Sequence, residues 1–408
     1  MKRRVAITGI GIVSSLGHDF ESAFNRLKTP RNCVTVSADL DGYKGLKTRL
    51  WAPCGYRRPP EYDRKTVRTM SPVSEMALFA TERALEAAGL AGSPELKGGR
   101  LGVAYGSCSG GVEANLDFAS ILVSREVRNV TSSTYLKMMP HTAAVNLSVH
   151  FGTTGRLLPT GTACTSGSLA IGEAYETIAC GKQDVMIAGG AEEFSVTQVA
   201  VFDTLFATSQ KNSAPETTPR PFDIGRDGLV IGDGAATLIL EEMDRARARG
   251  AKIFAEVAGF GTNTDGRHVT QPDSGTMAKA ISLALADAAV DPSAIGYVNA
   301  HGTATTLGDA AEGKATESVF GRMAVPVSTI KGYTGHTLGA CGAIEAAMTI
   351  AMMNDGWFAP NLNLTEPDPA CGENDFITGE GRSVDTEFAV SNNFAFGGVN
   401  TSIVFRRA

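Results

Sequence analysis

The seven cysteines, Cys33, Cys54, Cys108, Cys164, Cys180, Cys341 and Cys371, form no C-x-x-C pair and no metal-ligand spacing. That excludes zinc-finger and dithiol redox motifs, and no metal is expected. An odd, scattered set fits reduced thiols and a cytoplasmic setting. Positive charge is not in excess either: 37 Lys and Arg stand against 43 Asp and Glu, a net charge of −6. Nothing in that balance argues for nucleic-acid binding. No apolar run approaches the length of a membrane span. The apolar stretch after Lys2-Arg3-Arg4 is interrupted by Gly9 and Gly11 and is too short for a signal peptide. The same glycines open half a dinucleotide fingerprint, but Ser14 stands where the third glycine belongs. A nicotinamide dehydrogenase is therefore disfavoured, and no redox cofactor is expected.

What is abundant is glycine, 46 residues of 408, which implies many tight turns and close backbone approaches. The pattern along the chain is that of an α/β protein. Val5–Gly9 reads as a strand, and a helix is expected from about Ser71, which suits its N-cap, with Pro72 at its first position, to Gly89. A separate short helix is expected near Arg64. Leu101–Tyr105 is the next strand, ending in the turn Gly106–Gly111. The second half repeats this plan. Phe254–Gly261 echoes the opening strand with its own Gly-x-Gly, a helix passes through Ala280 and Leu285, and Ile295–Asn299 forms the next strand. Strands at Ala236–Leu240 and Thr401–Phe405 close the halves, each after a Gly-rich turn. The chain thus divides into residues 1–250 and 251–408, two copies of one unit, joined by a short helix near Arg245–Lys252. That helix is acidic at its start and basic toward its end, as its dipole favours.

The chemistry gathers on one stretch, Pro159–Ala170, where small residues flank Cys164 and a helix follows. A cysteine at a helix start meets unpaired N–H groups and partial positive charge, which predicts a lowered thiol pKa. Taken alone, such a residue is as well read as a small buried packing cysteine. Of only six histidines, His301 and His336 lie in glycine-flanked turns of the second half. Asp309 follows His301; Lys331 and Glu345 flank His336. One thiol, two imidazoles and a Lys/Glu pair suit a nucleophile with electrophilic partners.

Five motifs in chain order carry a resemblance: Thr162-Ala163-Cys164-Thr165-Ser166-Gly167, Arg220–Gly228, Asn299-Ala300-His301-Gly302-Thr303, Lys331–His336 and Asn393–Asn400. The chain resembles a β-ketoacyl-acyl carrier protein synthase, a condensing enzyme of the thiolase fold. The resemblance implies duplicated α/β halves in a five-layered α-β-α-β-α arrangement, and a dimer, either of identical chains or with a related chain-length subunit. It implies an acyl chain on Cys164, an oxyanion held by the N–H groups of Cys164 and Phe396, and His301 and His336 serving the decarboxylation of malonyl carrier protein. It places the Lys331–Glu345 pair around His336, Asp309 in support, and Thr303 and Thr305 against the pantetheine arm. It puts Ser109 at the floor of the acyl tunnel, where a small residue leaves room for long or conjugated chains. Arg64, Lys65 and Arg68 match basic positions that dock the carrier protein; Arg64 and Arg68 would share a helix face. Asn299, Glu345, Ser391 and Asn392 resemble a structural monovalent-cation site. Thr306, Ala395, Cys108 and Ser109 depart from the family pattern, which leaves fatty acid and polyketide or polyene pathways both open. A thiolase would carry a second cysteine in Phe394–Asn400, which has none. A non-catalytic chain-length subunit would lack the nucleophile.

Overall fold

The computed structural model describes residues 2–128 and 130–408. In the first half, β1 (Val5–Val13), α1 (Pro72–Ala87), β2 (Leu101–Gly106), α2 (Thr142–Phe151), β3 (Leu157–Thr160), α3 (Ser166–Ala179), β4 (Val185–Glu192) and β5 (Gly234–Glu242) follow in order. The second half supplies β6 (Ala255–Thr264), α4 (Ser274–Ala288), β7 (Ile295–Asn299), α5 (Thr306–Phe320), β8 (Pro326–Ser328), α6 (Cys341–Asp355), β9 (Asp375–Phe376), β10 (Phe388–Phe394) and β11 (Val399–Arg407). The strand order is β3-β2-β4-β5-β1 continuing into β6-β11-β10-β7-β8-β9. Apart from the added β9, one half mirrors the other, strand for strand. The halves meet where β1 and β6 pair antiparallel over Val5–Ile7 and Ala255–Val257. In the first half, the buried strands β1, β2 and β4 are near-continuous apolar runs, as strands covered on both faces must be.

Helices α3 and α6 fill the space between the two half-sheets, α1 and α2 cover the outside of the first, and α4 and α5 lie outside the second. This is the five-layered arrangement. All of α6 from Cys341 to Met353 is buried, so it shows no polar stripe. Close packing of these layers explains the Gly-x-Gly pairs. A Cβ at Gly9 or Gly11 would fall 2.0 or 1.9 Å from the carbonyl oxygens of Ala84 and Ala80 in α1. Gly259 and Gly261 stand in the same relation to Ala284 and Ala280 of α4. The half-fingerprint is thus a strand-to-helix packing device in both halves.

Two local expectations fail. Ser71 does precede α1 with Pro72 in its first turn, but its side chain makes no capping bond. The segment around Arg64 is a series of turns and not a helix: the Asp63 side chain accepts from Thr66 N at 2.8 Å, and the Val67 carbonyl from Met70 N at 2.9 Å. Arg64 and Arg68 therefore share no helix face, although Arg64, Lys65 and Arg68 are all exposed. The joining helix is Met243–Ala248; the Glu242 side chain accepts its first N–H groups and Gly250 ends it at φ +68°. No helix among the described residues is long and apolar enough to cross a membrane.

Candidate active site

Cys164 sits in a single 3-10 turn, Ala163–Thr165, between β3 and α3. Ala163 occupies the left-handed region at φ +52°, a conformation that costs a non-glycine residue about 1–2 kcal/mol. The surrounding hydrogen bonds hold it there. Thr160 Oγ1 donates to the Ser166 carbonyl at 2.7 Å, Thr162 N to Ser166 Oγ at 2.9 Å, and Ser166 Oγ to the Ala163 carbonyl at 2.7 Å. The equivalent turn of the second half, Leu338–Ala340, precedes α6 and also holds a left-handed non-glycine residue, Leu338, at φ +47°. His336 lies just before that turn. Its backbone is clamped by Val230 O and Gly232 N at 2.7 and 2.9 Å. Duplication thus brings the two helix-start turns to one point: His336 Nε2 is 2.9 Å from Cys164 Sγ.

His301 enters from the turn after β7, its ring 5.2 Å from that of His336 and nearly perpendicular to it. Its Nδ1 faces two donors, Lys331 Nζ at 3.2 Å and Asn393 Nδ2 at 3.3 Å. An acceptor at Nδ1 fixes the ring proton on Nε2. Lys331 also donates to the His301 carbonyl at 2.6 Å and forms a buried ion pair with Glu345, which in turn accepts from Asn393 Nδ2 at 2.6 Å. The Lys331–Glu345 pair therefore orients His301 directly; at His336, whose polarity it was expected to fix, it makes no hydrogen bond among the described residues and acts through the Lys331 charge. Asp309 touches neither imidazole. It accepts from Phe222 N and Ala304 N at 2.7 and 3.0 Å, holding the His301 turn one step away, and burial pushes its carboxyl up to about 6.

Burial governs the charge states. Desolvation pushes both histidines well below their ordinary value, and the Lys331 charge adds to it, so both rings are neutral. Burial also pushes the Cys164 thiol up to about 11, although the N–H groups of Phe396 and Cys164 and the Lys331 charge pull it down. The lowered thiol pKa expected from the helix start is thus overturned: at rest Cys164 is a thiol. Lys331 keeps its charge because Glu345 and its neighbours outweigh its burial.

These groups open into a pocket of about 400 Å³ lined by Cys164, His301, His336, Thr303, Thr305 and Phe396 among others. Its remaining walls include Phe202, Leu205, Phe206, Val269, Pro272 and Leu307, which sequence reasoning missed because they come from separate parts of the chain: the helix Val196–Thr204 and the turn after it, the loop before α4, and the first turn of α5. Asn393 was missed as a partner of His301, and so was Glu312. Glu312 lies three residues after Asp309 on the same face of α5 and accepts from His301 N and Gly302 N at 2.6 and 2.7 Å; that spacing was the available signal. Ser109 does not line this pocket; its hydroxyl accepts from Gln198 Nε2 at 3.1 Å.

Comparison with known proteins agrees with this arrangement. Family models of the β-ketoacyl synthase N-terminal and C-terminal domains match residues 2–246 and 254–365. A 3-oxoacyl-[acyl-carrier-protein] synthase 2 of Vibrio harveyi is 38% identical, covering 100% of this chain and 99% of its own length. The crystal structure of a β-ketoacyl synthase from Burkholderia phymatum STM815 superposes with a TM-score of 0.98 at 56% identity, covering both chains completely. The ketosynthase of a type II polyketide synthase, in complex with its acyl-carrier protein and bound to a hexaketide, superposes with a TM-score of 0.88 at 28% identity, again over both complete chains.

Proposed function

The chain belongs to the β-ketoacyl synthase family, and from that premise we propose how its residues divide the condensing reaction. It is an acyltransferase of fatty acid or polyketide synthesis that joins malonyl-acyl carrier protein to an enzyme-bound acyl chain. Cys164 Sγ attacks the acyl thioester of a carrier protein while His336 Nε2, 2.9 Å away, takes the thiol proton. The N–H groups of Cys164 and Phe396 hold the oxyanion; one such donor is typically worth about a hundred- to a thousandfold in rate. The carrier thiol leaves with the proton. Malonyl carrier protein then enters, its pantetheine arm against Thr303 and Thr305. Its thioester oxygen accepts an Nε2–H bond from neutral His301 and, once His336 has exchanged its ring proton from Nδ1, which has no partner among the described residues, to Nε2, a second such bond from that ring; both stabilise the enolate as carbon dioxide leaves. The carbanion attacks the acyl-Cys164 carbonyl, and the β-ketoacyl product departs on its carrier.

The observation that carries this reading is the His301 environment. Two donors at Nδ1 commit Nε2 to carrying a proton, and burial keeps the ring neutral. A neutral donor suits an oxygen gaining charge. The test separates the half-reactions. Cys164→Ala is expected to abolish acyl transfer. His301→Ala is expected to load acyl chains on Cys164 yet lose carbon dioxide release from malonyl carrier protein by about a hundredfold or more. Equal loss of loading and decarboxylation in His301→Ala contradicts the division.

Other parts of the reading have their own support. Asn299 and Asn392 carry buried side-chain oxygens with no partner among the described residues. Asn299 Nδ2 donates to Ser391 Oγ at 3.1 Å, and with Glu345 and Asn392 these residues would offer the oxygen-rich set that suits a structural monovalent cation. The second chain of a dimer suits the helix Val112–Ser124, of which only Ala114 is buried. Leu122 and Val123 on it are 83% and 86% exposed, and β3 is an open sheet edge. We assign that face to a second copy of this chain. Arg64, Lys65 and Arg68 form an exposed basic turn for an acidic carrier protein. Reversing Arg68 to Glu is expected to weaken carrier binding and flatten its salt dependence; unchanged affinity at low salt removes that role. All cysteines are free, which suits a cytoplasmic setting.

A further inference from the structure

Glu192, fully buried at the end of β4, gathers the turn Gly106–Gly111 around itself. It accepts from Cys108 N at 2.7 Å, Ser109 N at 3.3 Å, Ser107 Oγ at 3.3 Å and Gly339 N at 3.2 Å. With these donors committed to Glu192, the side chains of Cys108 and Ser109 meet the helix Val196–Thr204. Cys108 packs in an apolar cluster with Leu338, Val199 and Phe202. Ser109 Oγ accepts from Gln198 Nε2 at 3.1 Å. Gln198 and Phe202 are four residues apart and share a face of that helix. Phe202 is a wall of the Cys164 pocket, edge-on to Phe396 at 6.1 Å between ring centroids. Gln198 therefore lies one helical turn along from that wall.

Its other end is unusual. Gln198 is only 8% exposed, and its Oε1 is buried with no partner among the described residues. A buried polar group left unpaired is destabilising. Nothing in the fold requires an amide beside Phe202 and Val199; an apolar residue would fill that site without the cost. A serine hydroxyl both donates and accepts, so Ser109 can hold either end of the amide and leave the other free. A hydroxyl on a ligand satisfies whichever end is presented.

We propose that Gln198, held by Ser109, is a specificity-determining residue that selects acyl chains bearing a hydroxyl toward their far end. The proposal deepens the reading that Cys164 carries the acyl chain, and rests on it. A chain extending from Cys164 past Phe202 and Cys108 arrives at the Gln198 amide. An unsubstituted chain of that length buries the amide against methylene and leaves it unpaired; a hydroxylated chain pairs it. Shorter chains do not reach it, so the preference appears only beyond a threshold length.

The test is the rate of acyl adduct formation on Cys164, read by intact-protein mass. The donors are straight-chain acyl carrier proteins of increasing length, each compared with its ω-hydroxy twin. Wild-type enzyme is expected to favour the hydroxy twin by about tenfold beyond the threshold, the value of one buried unpaired group. Gln198→Leu is expected to remove or reverse that ratio, and Gln198→Met, nearer in shape, to do the same should the leucine variant not fold. Adducts with the same ratio in wild type and variants overturn the proposal alone, as does a variant whose dissociated dimer slows all donors equally. Absence of any adduct on wild-type Cys164 overturns the underlying reading and the proposal together.

Discussion

Cys164 and Lys331 show the two ways burial acts on a charged side chain. The thiol has no full counter-charge beside it, and desolvation wins, leaving it protonated with a pKa of about 11. Lys331 has Glu345 and stays charged. Alkylation of Cys164 by iodoacetamide should therefore keep accelerating as pH rises toward about 11. A plateau near the ordinary thiol value of about 8.5 would contradict this assignment. Breaking the Lys331–Glu345 pair leaves one buried charge uncompensated, which costs about 3–5 kcal/mol. Lys331→Met is thus expected to lower the melting temperature strongly and to impair decarboxylation. Adding Glu345→Gln should return much of the stability, since the orphan charge is gone, without returning decarboxylation, since His301 Nδ1 still lacks its ammonium donor. Recovery of both together would mean that Lys331 acts through folding alone.

At the scale of elements, one carboxylate ties two helices to the sheet. Glu193, following β4, accepts from Val73 N in the first turn of α1 at 2.8 Å and from Val112 N at the start of Val112–Ser124 at 2.6 Å. Burial raises its pKa from 4.5 to about 7, more than these N–H bonds lower it. The folded protein therefore binds this proton more tightly than the unfolded chain does. Its contribution to stability is full below about 4.5 and lost as pH rises through about 7. Thermal melts of wild type and Glu193→Gln should diverge across that window, the wild type losing ground as pH rises; parallel curves would contradict it. Many elements were legible in the sequence because their signals are local. Ile295–Asn299 was read residue for residue from an apolar run between turns, and Pro72 announced the start of α1. The helix expected near Arg64 was not there. Pro59-Pro60 and Ser71-Pro72 leave too little chain between them to repay helix nucleation, and the Asp63 side chain captures Thr66 N instead. The Cys164 and histidine residues were legible through motif order. Lys331 was legible as a site residue; that it and Asn393 meet at His301 Nδ1 was not, because the three come from different elements of the second half.

At the scale of the whole molecule, duplication is what builds the site. Each half contributes a helix-start turn, Ala163–Thr165 or Leu338–Ala340, and the central layer presses the two together. The first half supplies the nucleophile and the second supplies His301 and His336. The exposed face of Val112–Ser124 and the open edge of β3 extend the same logic to a second chain. Leu122→Asp places a charge in that apolar face and is expected to shift the protein to monomer in sedimentation experiments; an unchanged mass would place the dimer contact elsewhere. The central claim is that one thiol, Cys164, receives the acyl chain although Cys108 and Cys341 lie beside it. Peptide-resolved mass spectrometry of the enzyme after incubation with acyl carrier protein tests it most directly. The acyl mass is expected on the peptide containing Cys164 and to disappear in Cys164→Ala; the same mass on the Cys108 or Cys341 peptide, persisting in that variant, would contradict the account.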